Sequence, residues 1–232
     1  MSEAAAKVEL MKRLPIFPLP LVLLPGEMLP LHIFEPRYQE MLRDIEAERN
    51  LFGVSLFEAA EGFSDRPEIG SVGCVAEVRE SQPIEDGRAN ILTFGVIRYR
   101  ILDFVDEGTA YFKAEVEFFE DSGDDEAEVQ KASDEIFELF ERVAKAAFDL
   151  SGNRGKFPEI QRSDPERLSF LVTAAFNLEN EVKYELLTME STVARFEKLK
   201  TILASAVGRM EDSASIHKAA QTNGHSKKKI DL

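Results

Sequence analysis

The side chains best able to do chemistry are few and widely spaced along the chain. They are one cysteine, Cys74, and three histidines, His32, His217 and His225. Only Glu35 stands near His32, and no Cys-x-x-Cys pair is present, so the spacing predicts no metal site. Cys74 lies between a glycine and a valine in a predicted strand, which favours a buried thiol over a reactive one.

The nearest approach to a phosphate-binding loop is the run Gly-Asn-Arg-Gly-Lys-Phe at 152–157. A Walker loop requires glycine at position 150 and serine or threonine at position 157, where Leu150 and Phe157 stand. The pattern therefore excludes nucleotide hydrolysis at this loop. The carboxylates show no spacing that would fix two of them across a substrate. We predict no catalytic residue and no cofactor.

Charge narrows the classes of partner. The chain has 28 basic and 43 acidic residues, and its net charge of −15 repels nucleic-acid phosphates and anionic lipids. Two basic features keep an RNA-binding alternative open: the run Lys227–Lys229, and Arg98 and Arg100 on either side of Tyr99. The second is a weak signal without a wider basic patch, and its ordinary explanation is a charged solvent face with Tyr99 buried. We therefore do not expect a nucleic-acid partner.

Composition indicates a globular protein, because 44% of the residues are apolar and 17 are phenylalanine, enough for a core. No apolar stretch approaches the ~20 residues that a membrane helix needs. The first eleven residues lack the apolar run of a secretion signal. A single cysteine fits a reducing compartment. We expect a cytoplasmic protein with no membrane partner.

The elements that must position any site begin with an apolar run that five prolines interrupt, at positions 15, 18, 20, 25 and 30. Proline removes a ladder donor and restricts the residue before it, so this run predicts short extended pieces joined by turns. Pro25-Gly26 is a turn dipeptide. Glu35-Pro36 predicts a helix start, from which an apolar stripe continues to about Ala47.

Short apolar runs then alternate with turn signals, and Asp86-Gly87 predicts a hairpin. The predicted strands in this region are 51–57, 72–78, 89–94, 98–104 and 111–119. After an acidic connector the apolar period changes from about 2 to about 3.6, which predicts helices. These are 129–147, a second helix capped by Ser163 or Asp164, 181–187 and 192–210.

The predicted fold class is α+β: a small, mostly antiparallel β-barrel with one helix, followed by a C-terminal helical bundle. The predicted organisation is a flexible N-terminus at 1–12, a β-barrel subdomain at 13–121, a helical subdomain at 122–211 and a disordered tail at 212–232. The tail is expected to be disordered because it has too little apolar surface to offset its ordering entropy.

Several motifs, taken in order, resemble a known family. The opening has Pro-Ile-Phe-Pro-Leu-Pro at 15–20, Val-Leu-Leu-Pro-Gly at 22–26 and Leu-Pro-Leu-His-Ile-Phe-Glu-Pro-Arg-Tyr at 29–38. It resembles the start of the amino-terminal, substrate-recognition domain of Lon-type ATP-dependent proteases, whose barrel is PUA-like. Later runs resemble the rest of that domain, at 69–73, 86–92, 95–101, 111–116, 168–171, 183–187 and 195–199.

In the full protease, the AAA+ ATPase and Ser-Lys protease domains follow the region that this chain resembles. The resemblance therefore implies a stand-alone, non-catalytic protein. It further implies binding of exposed apolar segments of unfolded or partly folded polypeptides. The role expected is an adaptor in bacterial-type protein quality control that delivers these segments to a protease or chaperone. Two alternatives stay open, an RNA-binding PUA-like module and an enzyme on the same scaffold. No oligomeric state is predicted.

The predicted peptide-binding residues are Leu31, Phe34, Glu35 and Arg37, at the turn into the first helix. The expected site is a cleft between barrel and helices, where apolar side chains and an exposed strand edge hold a peptide. Phe34 would supply apolar contact, while Glu35 and Arg37 would select polar flanks. The competing explanation is that Phe34 belongs to the core and the charged pair is an ordinary helix cap.

Overall fold

A computed structural model describes residues 2–58, 66–150 and 157–205 of the chain. These residues form two compact units. The first comprises the described residues within Met1–Gly123 and Ser169–Ser191, and the second comprises those within Asp124–Leu168 and from Thr192 onward. The chain thus enters the first unit twice, which a single division at residue 122 does not anticipate. The tail expected at 212–232 lies outside the described residues, with His217, His225 and Lys227–Lys229.

The first unit holds six strands in one sheet. They are β1 (Arg13–Leu19), β2 (Met28–Ile33), β3 (Leu51–Leu56), β4 (Val72–Pro83), β5 (Ala89–Val105) and β6 (Phe112–Phe119). Their order is β2-β5-β4-β3-β1-β6, and β5 also pairs with β6. The pairing therefore returns to β5, in a barrel-like arrangement. Only β1 and β3 are parallel, so the predicted α+β class with a mostly antiparallel sheet is confirmed.

One long strand, β5, replaces the two strands predicted at 89–94 and 98–104. Gly95 lies at the predicted break, and a Cβ atom there would overlap the carbonyl of Leu24. Its amide donates to the Glu27 carbonyl at 2.9 Å. The glycine therefore serves close backbone approach within a continuous strand, and it does not end the strand.

The predicted hairpin between β4 and β5 is confirmed. Asp86 and Gly87 have φ angles of 62° and 75°, a left-handed conformation that aspartate tolerates and glycine adopts without strain. The two strands pair from Pro83↔Ala89 at the hairpin to Val72↔Arg100 at the far end.

Six helices are described: α1 (Glu3–Lys7), α2 (Pro36–Glu46), α3 (Glu126–Leu150), α4 (Pro165–Ala174), α5 (Asn180–Thr188) and α6 (192–205). Pro36 begins α2, as predicted, and the helix buries its stripe of Tyr38, Met41, Leu42 and Ile45. Asp164 caps α4, accepting a hydrogen bond from the Arg167 amide at 2.9 Å. Within the described ranges, no helix is both long and apolar enough to span a membrane.

The expected flexible N-terminus contains α1. The Ser2 hydroxyl accepts a hydrogen bond from the Ala5 amide at 3.0 Å, which caps this helix. Val8 is buried in a cluster with Leu14 and Ile16 of β1. Burial of Val8 thus gives this segment a fixed place on the sheet, which its composition alone does not indicate.

Residues 169–191 belong to the first unit because they share its core. Phe170 of α4 and Leu187 of α5 are buried in one cluster with Val22, Leu24 and Val72. The short apolar piece predicted at 22–24 is therefore core, although it is not a strand. A second cluster packs α2 against the sheet, with Ile33 and Phe17 among its members.

Candidate functional site

Strand β2 has two apolar columns of side chains, one on each face of the sheet. Leu29, Leu31 and Ile33 point inward, where Ile33 is fully buried and the two leucines pack partly buried against the core. The alternate residues Met28, Pro30 and His32 are exposed, and Phe34 continues this outer column beyond the strand. This division into inner and outer residues arises because successive side chains along a strand point to opposite faces of the sheet.

The outer column of β2 continues onto β5. Met28 lies opposite Phe94 and Pro30 lies opposite Leu92 in the ladder. We call the set Met28, Pro30, Phe34, Leu92 and Phe94 the β2–β5 outer patch. Phe34 is 59% exposed and Met28 is 66% exposed. Apolar side chains that stay this exposed on one face of a sheet are typical of an interaction surface.

The backbone of β2 is also open along one side, since β2 pairs only with β5 among the described strands. The Gly95 amide donates to the Glu27 carbonyl opposite it at 2.9 Å. Hydrogen-bonded pairs alternate along an antiparallel ladder, so the odd-numbered residues of β2 bond to β5. The backbone groups of Met28 and His32 then face the open edge. Pro30, which has no N–H, also faces this edge, the side where proline is tolerated.

The turn after β2 is fixed by hydrogen bonds from α2. Gln39 donates through Nε2 to the Phe34 carbonyl at 3.0 Å. Arg37 donates to Glu35 Oε2 from Nε at 2.9 Å, and its Nη2 lies 2.8 Å from the same oxygen. The Arg37 guanidinium also lies 4.6 Å from the centre of the Tyr38 ring. Glu35 makes no capping hydrogen bond to the helix, so this pair is an ion pair and not an ordinary cap.

The His32 ring packs against the Phe34 ring on the outer column. The two rings stack with centroids 5.9 Å apart and an interplanar angle of 20°. His32 Nδ1 and Asn90 Oδ1 are 2.7 Å apart, a distance that fixes the imidazole with Nδ1 as the donor. The described part of the chain contains no group of three or more side chains that could hold a metal ion.

The four predicted peptide-binding residues do not share one surface. Phe34, Glu35 and Arg37 are at the surface, and the alternative that places Phe34 in the core is wrong. Leu31 lies on the inner face, because the period of two along β2 separates it from Phe34. Sequence reasoning missed Met28, Pro30, Leu92 and Phe94. The available signal was alternation, but both columns of β2 are apolar, so it identified no outer face.

The arginines around Tyr99 do not form a nucleic-acid surface. Arg98 is buried, which corrects the expectation that it lies on a charged solvent face. Tyr99 is fully buried as expected, with its hydroxyl 2.6 Å from the Ser55 hydroxyl. Only Arg100 is partly exposed, and it pairs with Glu190 at 2.7 Å. A stacking platform requires an exposed ring, which Tyr99 does not supply.

Two other features carry no chemistry of their own. Cys74 is fully buried, as predicted, and burial raises the pKa of its thiol well above the usual range. A surface cavity of about 670 Å³ is lined by Leu10, Met11, Lys12, Arg13, Glu48, Arg49 and Glu115. Within this lining, Arg13 pairs with Glu115 at 3.4 Å, and Arg49 donates to two backbone carbonyls.

Solved structures show the class of fold. The Lon N-terminal domain protein from Xanthomonas campestris superposes with a TM-score of 0.60 at 24% identity, covering 82% of this chain and 98% of that one. The N-terminal domain of the Mycobacterium avium complex Lon protease superposes with a TM-score of 0.59 at 18% identity, covering 83% and 98%. The fold is therefore that of Lon N-terminal domains.

The sequence shows the family. The family model of the ATP-dependent protease La (LON) substrate-binding domain matches residues 13–205, and the chain belongs to this family. It is 27% identical over 203 residues to the Lon protease of Anaeromyxobacter dehalogenans, covering 82% of this chain and 23% of that protein. The Lon protease of Escherichia coli (strain K12) is 26% identical over 210 residues, with 85% and 25% covered. The chain thus spans about a quarter of the length of these relatives.

Proposed function

We propose that this protein binds exposed apolar segments of unfolded or partly folded polypeptides at the β2–β5 outer patch. The observation that carries the proposal is the exposure of Phe34 and Met28 on an outer column beside an open strand edge. Burial of two such side chains by a ligand supplies a favourable free energy without any other contact. The substrate-binding description of the family supports binding over catalysis.

The open edge of β2 supports a ligand in extended form. Met28 and His32 face this edge with an N–H and a C=O each, and Pro30 adds a C=O. An extended segment can pair with these groups while its alternate side chains pack on the outer column. Main-chain pairing is independent of the ligand's sequence, so it suits a protein that takes many different segments.

The biological role that follows is that of a non-catalytic adaptor in protein quality control. A bound apolar segment would be carried to a protease or chaperone, because the outer patch offers capture and no chemistry. The same proposal assigns the protein to the cytoplasm. A chain with one cysteine, Cys74, forms no internal disulfide, which is usual for proteins of a reducing compartment.

The test measures binding of a fluorescein-labelled globular protein that has been unfolded by reduction and carboxymethylation. Wild-type protein is titrated into the probe and fluorescence anisotropy is recorded. The substitutions Phe34→Ser and Met28→Ser each remove one apolar contact, and we expect each to weaken binding by roughly tenfold. Circular dichroism and urea titration establish that both variants are folded.

Matched controls come from exposed apolar side chains outside the patch. Leu10 is 89% exposed and Ile69 is 60% exposed, so Leu10→Ser and Ile69→Ser remove comparable apolar surface. We expect these variants to bind like the wild type. Absence of binding by the wild type would refute the proposed function. Equal losses in control and patch variants would refute the assigned site.

A further inference from the structure

Carboxylates border the β2–β5 outer patch on the β4 side. Glu80 lies opposite Leu92 in the ladder, so its exposed side chain stands on the same face as the patch. Within the described ranges, Glu80 forms no ion pair. Glu77, opposite Phe94, is already neutralised by Lys7 and Arg79, each at 2.8 Å. Glu80 is therefore the acidic group still open to a ligand on this side.

A second acidic group lies at the hairpin that joins β4 to β5. Glu85 is exposed, and across the described residues its carboxylate has no cationic partner. The hairpin lies at the Phe34 end of the patch: a Cβ atom on Gly87 would be 2.8 Å from the Gln39 amide oxygen. Gln39 in turn bonds to the Phe34 carbonyl at 3.0 Å. Acidic groups thus border the patch along one side and at one end.

The cations near the patch are already paired. Arg79 pairs with Glu77 and lies 5.5 Å from the centre of the Phe94 ring. Arg88 lies 3.9 Å from Asp86 at the hairpin. The segment from Glu77 to Arg88, which comprises the end of β4 and the hairpin, contains four carboxylates and these two arginines. Its net charge is therefore negative. The whole chain adds a field of the same sign, with a net charge of −15.

We propose that the outer patch selects apolar segments that carry lysine or arginine beside the apolar residues, with Glu80 and Glu85 receiving the cations. This inference rests on the proposed function and names the class of segment that the site prefers. Charge complementarity of this kind raises the association rate and excludes partners of like charge. Acidic apolar segments and nucleic acids are therefore rejected by the same surface.

The test uses three fluorescein-labelled peptides with one shared core of alternating leucine and serine. The core is flanked on both sides by lysine, by serine or by glutamate. At low salt we expect the lysine-flanked peptide to bind roughly tenfold more tightly than the glutamate-flanked one, about threefold for each exposed ion pair. The difference should shrink at 1 M salt, where the Debye length falls to about 3 Å.

The matched variants separate local charge from net charge. In the double variant Glu80→Gln/Glu85→Gln, the preference for lysine should fall to roughly twofold or less. The remaining preference comes from the negative field of the whole chain. The control Glu9→Gln/Glu46→Gln removes two exposed carboxylates outside the patch and should keep the full preference. An unchanged preference in the first variant would overturn the assignment to Glu80 and Glu85.

The peptides also distinguish failure of this inference from failure of the proposed function. If the wild type binds all three peptides equally at low salt, charge selection is wrong while binding of apolar segments stands. If it binds none of them, and does not bind the unfolded protein probe either, the proposed function itself is refuted.

Discussion

The guanidinium of Arg98 donates through Nη2 to Asp121 Oδ1 at 2.5 Å, and the two side chains are 0% and 7% exposed. Arg98 Nη1 donates to the backbone carbonyls of Leu187 at 3.2 Å and Met189 at 2.5 Å. Its guanidinium carbon lies 4.6 Å from the centre of the Phe119 ring. One buried cation thereby joins β5 to the chain after β6 and to the chain at the end of α5.

Loss of this cation should destabilise the first unit strongly. Arg98→Leu removes the cation that contacts buried Asp121 and the donor to two backbone carbonyls, and we expect a loss of about 3–5 kcal/mol in the free energy of unfolding. The neighbouring Arg100→Leu breaks a pair with exposed Glu190 and should cost at most about 1 kcal/mol. Urea titration followed by circular dichroism measures both.

The origin of the Arg98 effect can be isolated with a second change. Asp121→Asn in the Arg98→Leu background removes the buried negative charge that Arg98 contacts, so part of the lost stability should return. Equal losses in the Arg98 and Arg100 variants would contradict the importance that the structure gives to the buried pair.

The hydroxyl pair of Ser55 and Tyr99 inside the sheet should show coupling. The oxygens are 2.6 Å apart and both residues are buried. Ser55→Ala leaves the Tyr99 hydroxyl without this hydrogen bond, and Tyr99→Phe leaves the Ser55 hydroxyl without it. Each variant should cost about 1–3 kcal/mol in the free energy of unfolding. The double variant should cost less than the sum of the two. Simple additivity in a double-mutant cycle would show that the two hydroxyls do not interact.

The thiol of Cys74 should be inert in the folded protein. Burial raises its pKa, so little thiolate forms near neutral pH, and only the thiolate reacts with a disulfide reagent. We expect very slow labelling of native protein at pH 8 and rapid labelling of one thiol in urea. At pH 9 labelling of the native protein should still be far slower than labelling of the unfolded chain. Rapid labelling without denaturant would contradict the burial.

Main-chain pairing at the β2 edge predicts a periodic response to peptide methylation. An added strand donates alternate N–H groups to the carbonyls that face the open edge of β2. N-methylation at those positions of the lysine-flanked peptide should weaken binding by roughly fivefold, the value of about one hydrogen bond. Methylation at the intervening positions should have little effect on anisotropy titrations. A response without this period of two would mean that side chains alone hold the segment.

Local patterns predicted the elements where one interaction dominates. In α2 the spacing of Tyr38, Met41, Leu42 and Ile45 indicated the buried face, which the structure confirms. The Asp86-Gly87 pair indicated the hairpin, because few residues adopt positive φ at two consecutive positions. The motif order in the opening run also indicated the family, which the match over residues 13–205 confirms.

The site was less accessible to such patterns. Leu31 and Phe34 are both apolar and three residues apart, and only the pairing register of β2 places one in the core and the other in solvent. The contribution of Leu92 and Phe94 depends on β5 lying beside β2, a contact between residues about sixty positions apart. A glycine such as Gly95 suggests the end of a strand. Only the structure shows that the Leu24 carbonyl approaches closely here, which requires glycine within a continuous strand.

The sequence by itself determined the turn at Asp86-Gly87, the buried stripe of α2 and the family, because these depend on residues that are near neighbours or on motif order. Tertiary structure alone decided the burial of Arg98 and the exposure of Phe34. Arg98 carries a charge and is buried, since Asp121 and two carbonyls replace its water. Phe34 is apolar and exposed, since the register of β2 aims it outward. In both cases the burial or exposure depends on contacts with distant segments, which local spacing does not encode.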